Sequence, residues 1–120
     1  MDFLFSRSLR LLNKRDYDRV FQSAKKVGSR SFLILFRDNQ QEHPRLGLVV
    51  AKKTAKRSHE RHRFKRLVRE SFRLKQHGLP HLDFVVLSRH GFEHLTNDDL
   101  FKELSWAWKR VIRDYSLCCE

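Results

Sequence analysis

Cysteine is almost missing from this 120-residue chain: its two copies, Cys118 and Cys119, stand side by side in the tail. Without a second pair there is neither a zinc-site spacing nor a disulfide framework. Glycine and proline are also scarce, four and two residues, and the chain contains no phosphate-cradling glycine loop and no nucleophile elbow. No apolar run approaches the roughly 20 residues of a membrane-spanning helix. The opening MDFLFSRSLRLLNKR lacks the apolar core and small-residue cleavage site of a secretion signal. The expectation is a cytoplasmic protein. Acids are the last shortage: 14 Asp and Glu against 26 Lys and Arg leave a net charge of +12 and a pI near 10.4. Too few carboxylates accompany the cations to hold the metals of a two-metal nuclease.

What is present is one domain's worth of chain, expected to span residues 1–120 and long enough to bury about two thirds of its unfolded surface around a single core. At 40% hydrophobic and 12% aromatic it is globular, yet a third of it is charged, which points to an anionic partner. Nucleic acid is the first candidate. A membrane surface is the rival, but it needs an amphipathic helix with bulky apolar groups left over, and the stripe described next is narrow enough for the core to consume.

The cations are concentrated. Residues 51–75, AKKTAKRSHERHRFKRLVRESFRLK, hold eleven Lys and Arg against Glu60 and Glu70, which is nine of the twelve net charges. With Ser58 as cap and an end near Gln76, Phe64, Leu67, Val68 and Phe72 fall on one helical stripe with Ser71 among them. At 100° per residue, His62, Lys65, Arg66, Arg69 and Arg73 gather opposite. A charged helix face is most often merely solvated. Such faces, however, alternate sign at four-residue spacing, whereas Arg61, Lys65 and Arg69 repeat one sign, and Arg61 and Arg63 crowd the first turn, where the helix dipole prefers acids. Dipole, unpaired N–H groups and guanidinium groups together suit phosphate.

Along the chain, residues 1–12 read as a basic arm. Asn13 caps a first helix running to about Ser23, with Asp16 in its first turn and Leu12 placed to staple onto Tyr17. Tyr17, Val20, Phe21 and Ala24 share a face; Tyr17 and Phe21, one turn apart, either join the core or stack bases, and the sequence leaves both open. Residues 31–37, SFLILFR, form a buried strand, with Phe32, Ile34 and Phe36 on one side and Leu33 and Leu35 on the other. Across the polar DNQQEHP, residues 45–52 are expected to pair with it as an antiparallel hairpin. After the basic helix, His77-Gly78-Leu79-Pro80 is a stop signal. Residues 83–88, DFVVLS, form the strand that makes strand, helix, strand a parallel βαβ unit. Thr96 or Asn97 caps a last helix reaching about Arg113, with Leu100, Leu104, Ala107, Trp108, Val111 and Tyr115 inward and Trp106 on the surface. The fold class is α+β, with no repeat and no second domain.

Catalytic constellations are missing. His59-Glu60-Arg61-His62 spaces its histidines three apart, where a zinc-protease helix needs four, and the remaining histidines are scattered. No metal site in the protein is expected. The residues argue for binding.

Lys52-Lys53 followed by Arg61-His62-Arg63-Phe64-Lys65-Arg66-Leu67-Val68-Arg69-Glu70-Ser71-Phe72-Arg73 resembles the arginine-rich helix of the bacterial ribonuclease P protein component family. The resemblance extends through Leu9-Arg10, Tyr17, Val20-Phe21, His43-Pro44-Arg45-Leu46-Gly47 and Leu79-Pro80 to Asp83-Phe84-Val85-Val86. His62 departs from it, standing where that family usually has Asn. The resemblance implies a single-domain αβββαβα fold with a four-stranded mixed sheet, an extra strand near residues 24–28 and a left-handed crossover, against the usual hand. It also implies a function. The family binds a catalytic RNA and helps it remove the 5′ leader of precursor tRNA, with Mg2+ held mainly by the RNA and no obligate protein partner. By the same resemblance Lys52, Lys53, Arg61, His62, Arg63, Lys65, Arg66, Arg69 and Arg73 contact the catalytic RNA. Tyr17, Phe21, Phe32 or Leu33, and Leu35 line a groove for the leader, where stacking tolerates most sequences. A ribosomal or RNA-chaperone protein would share the charge and the aromatics, and an autonomous nuclease would cut without the RNA.

Overall fold

The structure, a computed structural model, describes residues 10–11, 14–22, 24–39, 43–50 and 57–118. Its elements are α1 (Lys14–Gln22), β1 (Lys25–Gly28), β2 (Phe32–Asp38), β3 (Arg45–Val49), α2 (Ser58–Lys75), β4 (Leu82–Ser88) and α3 (Asn97–Cys118), with single 3-10 turns at Gln76–Gly78 and Phe92–His94. The four strands form one mixed sheet in the order β1-β2-β4-β3. β4 runs antiparallel to β2 and parallel to β3, and β1 runs antiparallel to β2. The crossover from β3 through α2 to β4 is therefore the parallel unit that the spacing implied.

The expected hairpin between β2 and β3 does not form, because β4 lies between them. Composition explains the order. FLILF and FVVL are apolar on both sides, and a central strand is the place where both faces are covered. β3 carries Arg45 and Gly47, and β1 carries Lys25 and Lys26, so the weaker strands take the edges. Lysines on an edge also discourage pairing with another chain. The outer edge of β3 is covered from within: Leu11 N–H donates to Leu46 O at 3.0 Å, and Arg10 pairs with Leu46 as a parallel bridge.

One sheet face supplies Phe32, Ile34, Phe36, Phe84 and Val86 to the main core, where Phe64, Val68 and Phe72 of α2 meet Leu104, Trp108 and Val111 of α3. Trp108 sits edge-on to Phe84 and Phe72, with centroids at 5.3 and 6.0 Å. Its indole N–H donates to Ser71 Oγ at 2.9 Å, so the serine inside the apolar stripe of α2 satisfies the buried tryptophan. Leu35 and Val85, on the other face, pack under α1 with Val20 and Leu11, with Tyr17, Ala24 and Leu33 at the margin. That second face is covered in part by α1, not left open.

Several local expectations need adjustment. Ser58 opens α2 but does not cap it: Arg57 holds the cap position, with no side-chain bond to the helix end. Thr96 caps α3, its Oγ1 accepting from Asp99 N–H at 3.1 Å. α3 continues past Arg113 to Cys118, since nothing in DYSLC breaks a helix. Asn13, Lys52, Lys53 and Cys119 lie outside the described residues. Among those described, no helix is long and apolar enough to cross a membrane.

Candidate nucleic-acid interface

α2 is anchored by one flank, so its other side chains are sorted by angle. Taking Val68 as zero and about 100° per residue, Phe64 and Phe72 lie within about 40°. Lys65, Arg69 and His62 then fall at about 60–120° on one side, with Arg66 near the back, while Glu60, Leu67 and Arg63 fall on the other. The coordinates follow this division. His62, Arg66 and Arg69 are exposed and Lys65 is half-buried, and among the described residues none of the four has a carboxylate partner. Lys65 and Arg69 open onto a recess of about 270 Å³ completed by Arg10, Leu11, Tyr17, Leu46 and Leu48. His62 and Arg66 line a neighbouring recess of about 380 Å³ with His59 and Arg63. Two hollows thus share one cationic ridge.

Arg63 belongs to the domain's own framework. Only 17% exposed, it donates to Leu95 O at 3.0 Å, Asn97 Oδ1 at 2.8 Å and Phe92 O at 3.2 Å, and pairs with Glu60 at 3.1 Å. It clamps α2 to the start of α3, so its guanidinium is already engaged within the domain while it borders the recess of His62 and Arg66. Arg61 is half-buried and engaged within the chain, as its place near 20° on the buried stripe requires. Arg73 pairs with Glu70 one turn earlier; the hydrogen bond raises the guanidinium pKa and holds the Glu70 carboxyl below its ordinary range. An exposed pair of this kind is weak enough to exchange for a phosphate. The unopposed ridge is therefore His62, Lys65, Arg66 and Arg69.

The groove residues divide as well. Phe32 is fully buried on the α2 and α3 side of the sheet, opposite Tyr17, so no groove lined by Tyr17 includes it. Leu35 is on the α1 side but is core beneath Val20. Leu33 is half-buried at the margin, and Phe21 is 47% exposed. Tyr17 is half-buried with a fixed pose: its hydroxyl accepts from Leu48 N–H at 3.2 Å and its ring covers Gly47. The ring also lines the recess with Lys65 and Arg69, so Tyr17 straps α1 to β3 and at the same time borders the cationic hollow. Arg10, Leu46 and Leu48 also line the recess and were not singled out as site residues; the polar edge of β3 was not visible while β3 was paired with β2.

A second network sets the position of α1. Arg45 donates twice to Asp83, 2.7 Å from Nε to Oδ1 and 2.7 Å from a terminal nitrogen to Oδ2. Asn39 donates to the same Oδ1 at 3.0 Å, and Asp16 of α1 lies 3.6 Å from Arg45. The Asp83 hydrogen bonds raise the Arg45 pKa above its ordinary value. Among the described residues no three His, Cys, Asp or Glu converge on a possible metal position.

The ribonuclease P family model matches residues 5–112. The chain is 50% identical over 113 residues to the ribonuclease P protein component of Aliivibrio fischeri, covering 94% of this chain and 97% of that one. It is 52% identical over 109 residues to the counterpart from Photobacterium profundum, covering 91% and 92%. Among solved structures, the RNase P protein of Staphylococcus aureus superposes with a TM-score of 0.79 at 25% identity, covering 84% of this chain and 93% of that one. That of Thermotoga maritima superposes at 0.75 and 31%, covering 84% and 96%. On this evidence of sequence, fold and cationic ridge, the chain belongs to the ribonuclease P protein family.

Proposed function

We propose that this chain is the protein subunit of ribonuclease P, acting with the catalytic RNA subunit in the endonucleolytic removal of the 5′ leader from precursor tRNA. One observation carries the site-level reading: His62, Lys65, Arg66 and Arg69 form an unopposed row on a helix locked into the core by its opposite flank, and the row opens into the recess walled by Tyr17. A helix fixed by packing presents these cations at set spacing to a phosphate backbone, and guanidinium groups meet it with paired donors. The row docks the catalytic RNA, with Lys52, Lys53 and Arg73 supporting it. Tyr17 and Phe21, with Leu33 at the margin, face the leader. A contact made only by the leader is lost once the leader is cut away, so it favours substrate over product without reading sequence. The cut itself is assigned to the RNA. Magnesium is assigned to the RNA as well, as the resemblance implies. The working location is the cytoplasm, with precursor tRNA as the second RNA partner.

Reconstitution at low magnesium tests the reading. The protein with the catalytic RNA cleaves precursor tRNA faster than the RNA alone, and the protein alone does nothing. RNA binding without faster cleavage would reassign the chain to ribosomal or chaperone-type roles. Cleavage by the protein alone would make it an autonomous nuclease.

A further inference from the structure

The exposed side of α3 has a feature that the α2 ridge does not absorb. Trp106 on α3 is 47% exposed, although the neighbouring Trp108 is fully buried. Around it, Lys109, Arg110 and Arg113 line a shallow recess of about 200 Å³, and the Arg110 guanidinium carbon lies 5.4 Å from the centre of the indole ring. On a helix these three cations fall within about 60° of Trp106, with Arg110 set over one face of the ring and Lys109 and Arg113 beside it. Nearby acids are engaged: Glu103 accepts from Ser31 Oγ at 3.3 Å, and Asp114 lies 3.6 Å from Arg113. Neither caps the ring.

We propose that this face of α3 is a second RNA contact, in which the Trp106 indole stacks an unpaired base of the catalytic RNA subunit while Lys109, Arg110 and Arg113 hold the flanking phosphates. An exposed indole ringed by cations has the two parts that single-stranded nucleic acid needs, a flat apolar platform and positive charge along its rim. A membrane surface fits worse: among the described side chains Trp106 is the one bulky apolar group on this arc, and insertion needs several. A protein hot spot would surround the aromatic with apolar neighbours. The RNA subunit is the committed partner because no residue of α3 lines the Tyr17 recess proposed for the leader, whereas a large folded RNA can reach both. The inference rests on the proposed role with that RNA.

The full chain is titrated with the catalytic RNA subunit while the tryptophan emission is followed. Expected is quenching of the solvent-exposed component, absent in Trp106→Leu, with affinity falling about five- to hundredfold in Trp106→Leu and staying within about threefold in Trp106→Phe, which still stacks. The paired change Arg110→Ala with Arg113→Ala makes the salt dependence shallower by about 1.4–1.8. The unchanged emission of Trp108 reports that each variant is folded. Equal affinity of wild type and Trp106→Leu overturns the proposal. So does quenching by precursor tRNA alone, or by anionic lipid vesicles, without quenching by the RNA subunit. Arg66→Ala with Arg69→Ala serves as the separate test of the α2 ridge: wild-type affinity there sinks the ridge and leaves the Trp106 result standing.

Discussion

Gly47 is the position where one methyl group should report how α1 is seated. A Cβ built there would lie 2.7 Å from Tyr17 Cε1, 2.8 Å from Cζ and 2.9 Å from Oη, against the roughly 3.5–4.0 Å at which carbon atoms normally meet. The ring cannot simply swing away, because its hydroxyl is bonded to Leu48 N–H on the same strand and its helix is pinned by the buried Val20. Gly47→Ala is therefore expected to cost about 1–3 kcal/mol by overpacking, lowering Tm by about 3–6 °C per kcal/mol in a domain of this size. Tyr17→Phe keeps the ring and loses only the hydrogen bond, about 0.5–1.5 kcal/mol. Tyr17→Ala empties the contact, and in that background Gly47→Ala should cost nothing or return up to about 1 kcal/mol, since alanine is less costly than glycine in a strand. Chemical denaturation of the four proteins in this cycle gives a coupling of about 1–3 kcal/mol. Additive losses would refute the reasoning, because the cost of Gly47→Ala would then come from something other than Tyr17. The cycle has a functional arm as well: displacing the ring should narrow the preference for leader-bearing over mature tRNA while affinity for the catalytic RNA holds.

The guanidinium groups of α2 should separate by assay. Arg66→Ala and Arg69→Ala are each expected to change stability by less than about 0.5 kcal/mol while weakening RNA binding and flattening its salt slope by about 0.7–0.9; Arg63→Ala should do the reverse, costing about 1–3 kcal/mol through the lost clamp on Phe92, Leu95 and Asn97 and leaving the slope within error. Ser71→Ala leaves the Trp108 indole N–H unpaired in the core and should cost about 1–3 kcal/mol by urea denaturation. Asp83→Asn strips the buried carboxylate from Arg45 and is expected to cost about 1–3 kcal/mol, with the Asp16 ion pair at 3.6 Å left to offset part of the loss. Glu70, whose carboxyl is held low by Arg73, contributes stability that is present above its ordinary pKa of 4.5 and fades as pH falls through its lower folded value; Glu70→Gln should show a slightly shallower acid-side decline.

Periodicity was a dependable guide wherever a segment's partner did not matter. The inward stripe of α3, the surface position of Trp106, the alternating faces of β2 and the parallel β3–α2–β4 unit all follow from spacing alone. Strand order did not, since local turn chemistry makes DNQQEHP look like a hairpin loop while the choice of neighbour is made by which strands must be covered on both faces. The same gap put Phe32 into a groove with Tyr17. Alternation places it opposite Leu33, but which side α1 covers is a tertiary fact. β1 was expected near residues 24–28 only through the resemblance; four residues with one buried side chain carry too little pattern to read. The hand of the crossover likewise rests on the resemblance, because pairing and register are the same for either hand.

The sorting of the arginines shows where residue type stops being informative. Arg63 and Arg66 are one chemical group on one helix, three residues apart, and a count of positive charge weights them equally. Only about 60° separates them around the helix, but the two fall on either side of its back, and that small turn decides which of them α3 can reach. Arg63 lies on the flank that α3 approaches, where three oxygens with fixed positions await a planar donor; Arg66 lies on the back, exposed and without a carboxylate partner among the described residues. A lysine at 63 would keep the charge and lose the fork that satisfies three acceptors at once. The number of cations on α2 therefore overstates the number available to RNA, and the correction comes from the partner across each one. The ridge that remains, His62, Lys65, Arg66 and Arg69, is shorter than the charge run, continuous along the helix, and adjacent to Tyr17. Under the proposed function, a polyanion docked on it would be led toward the recess at the edge of β3, so one geometry would both hold the RNA and set where a second strand can lie.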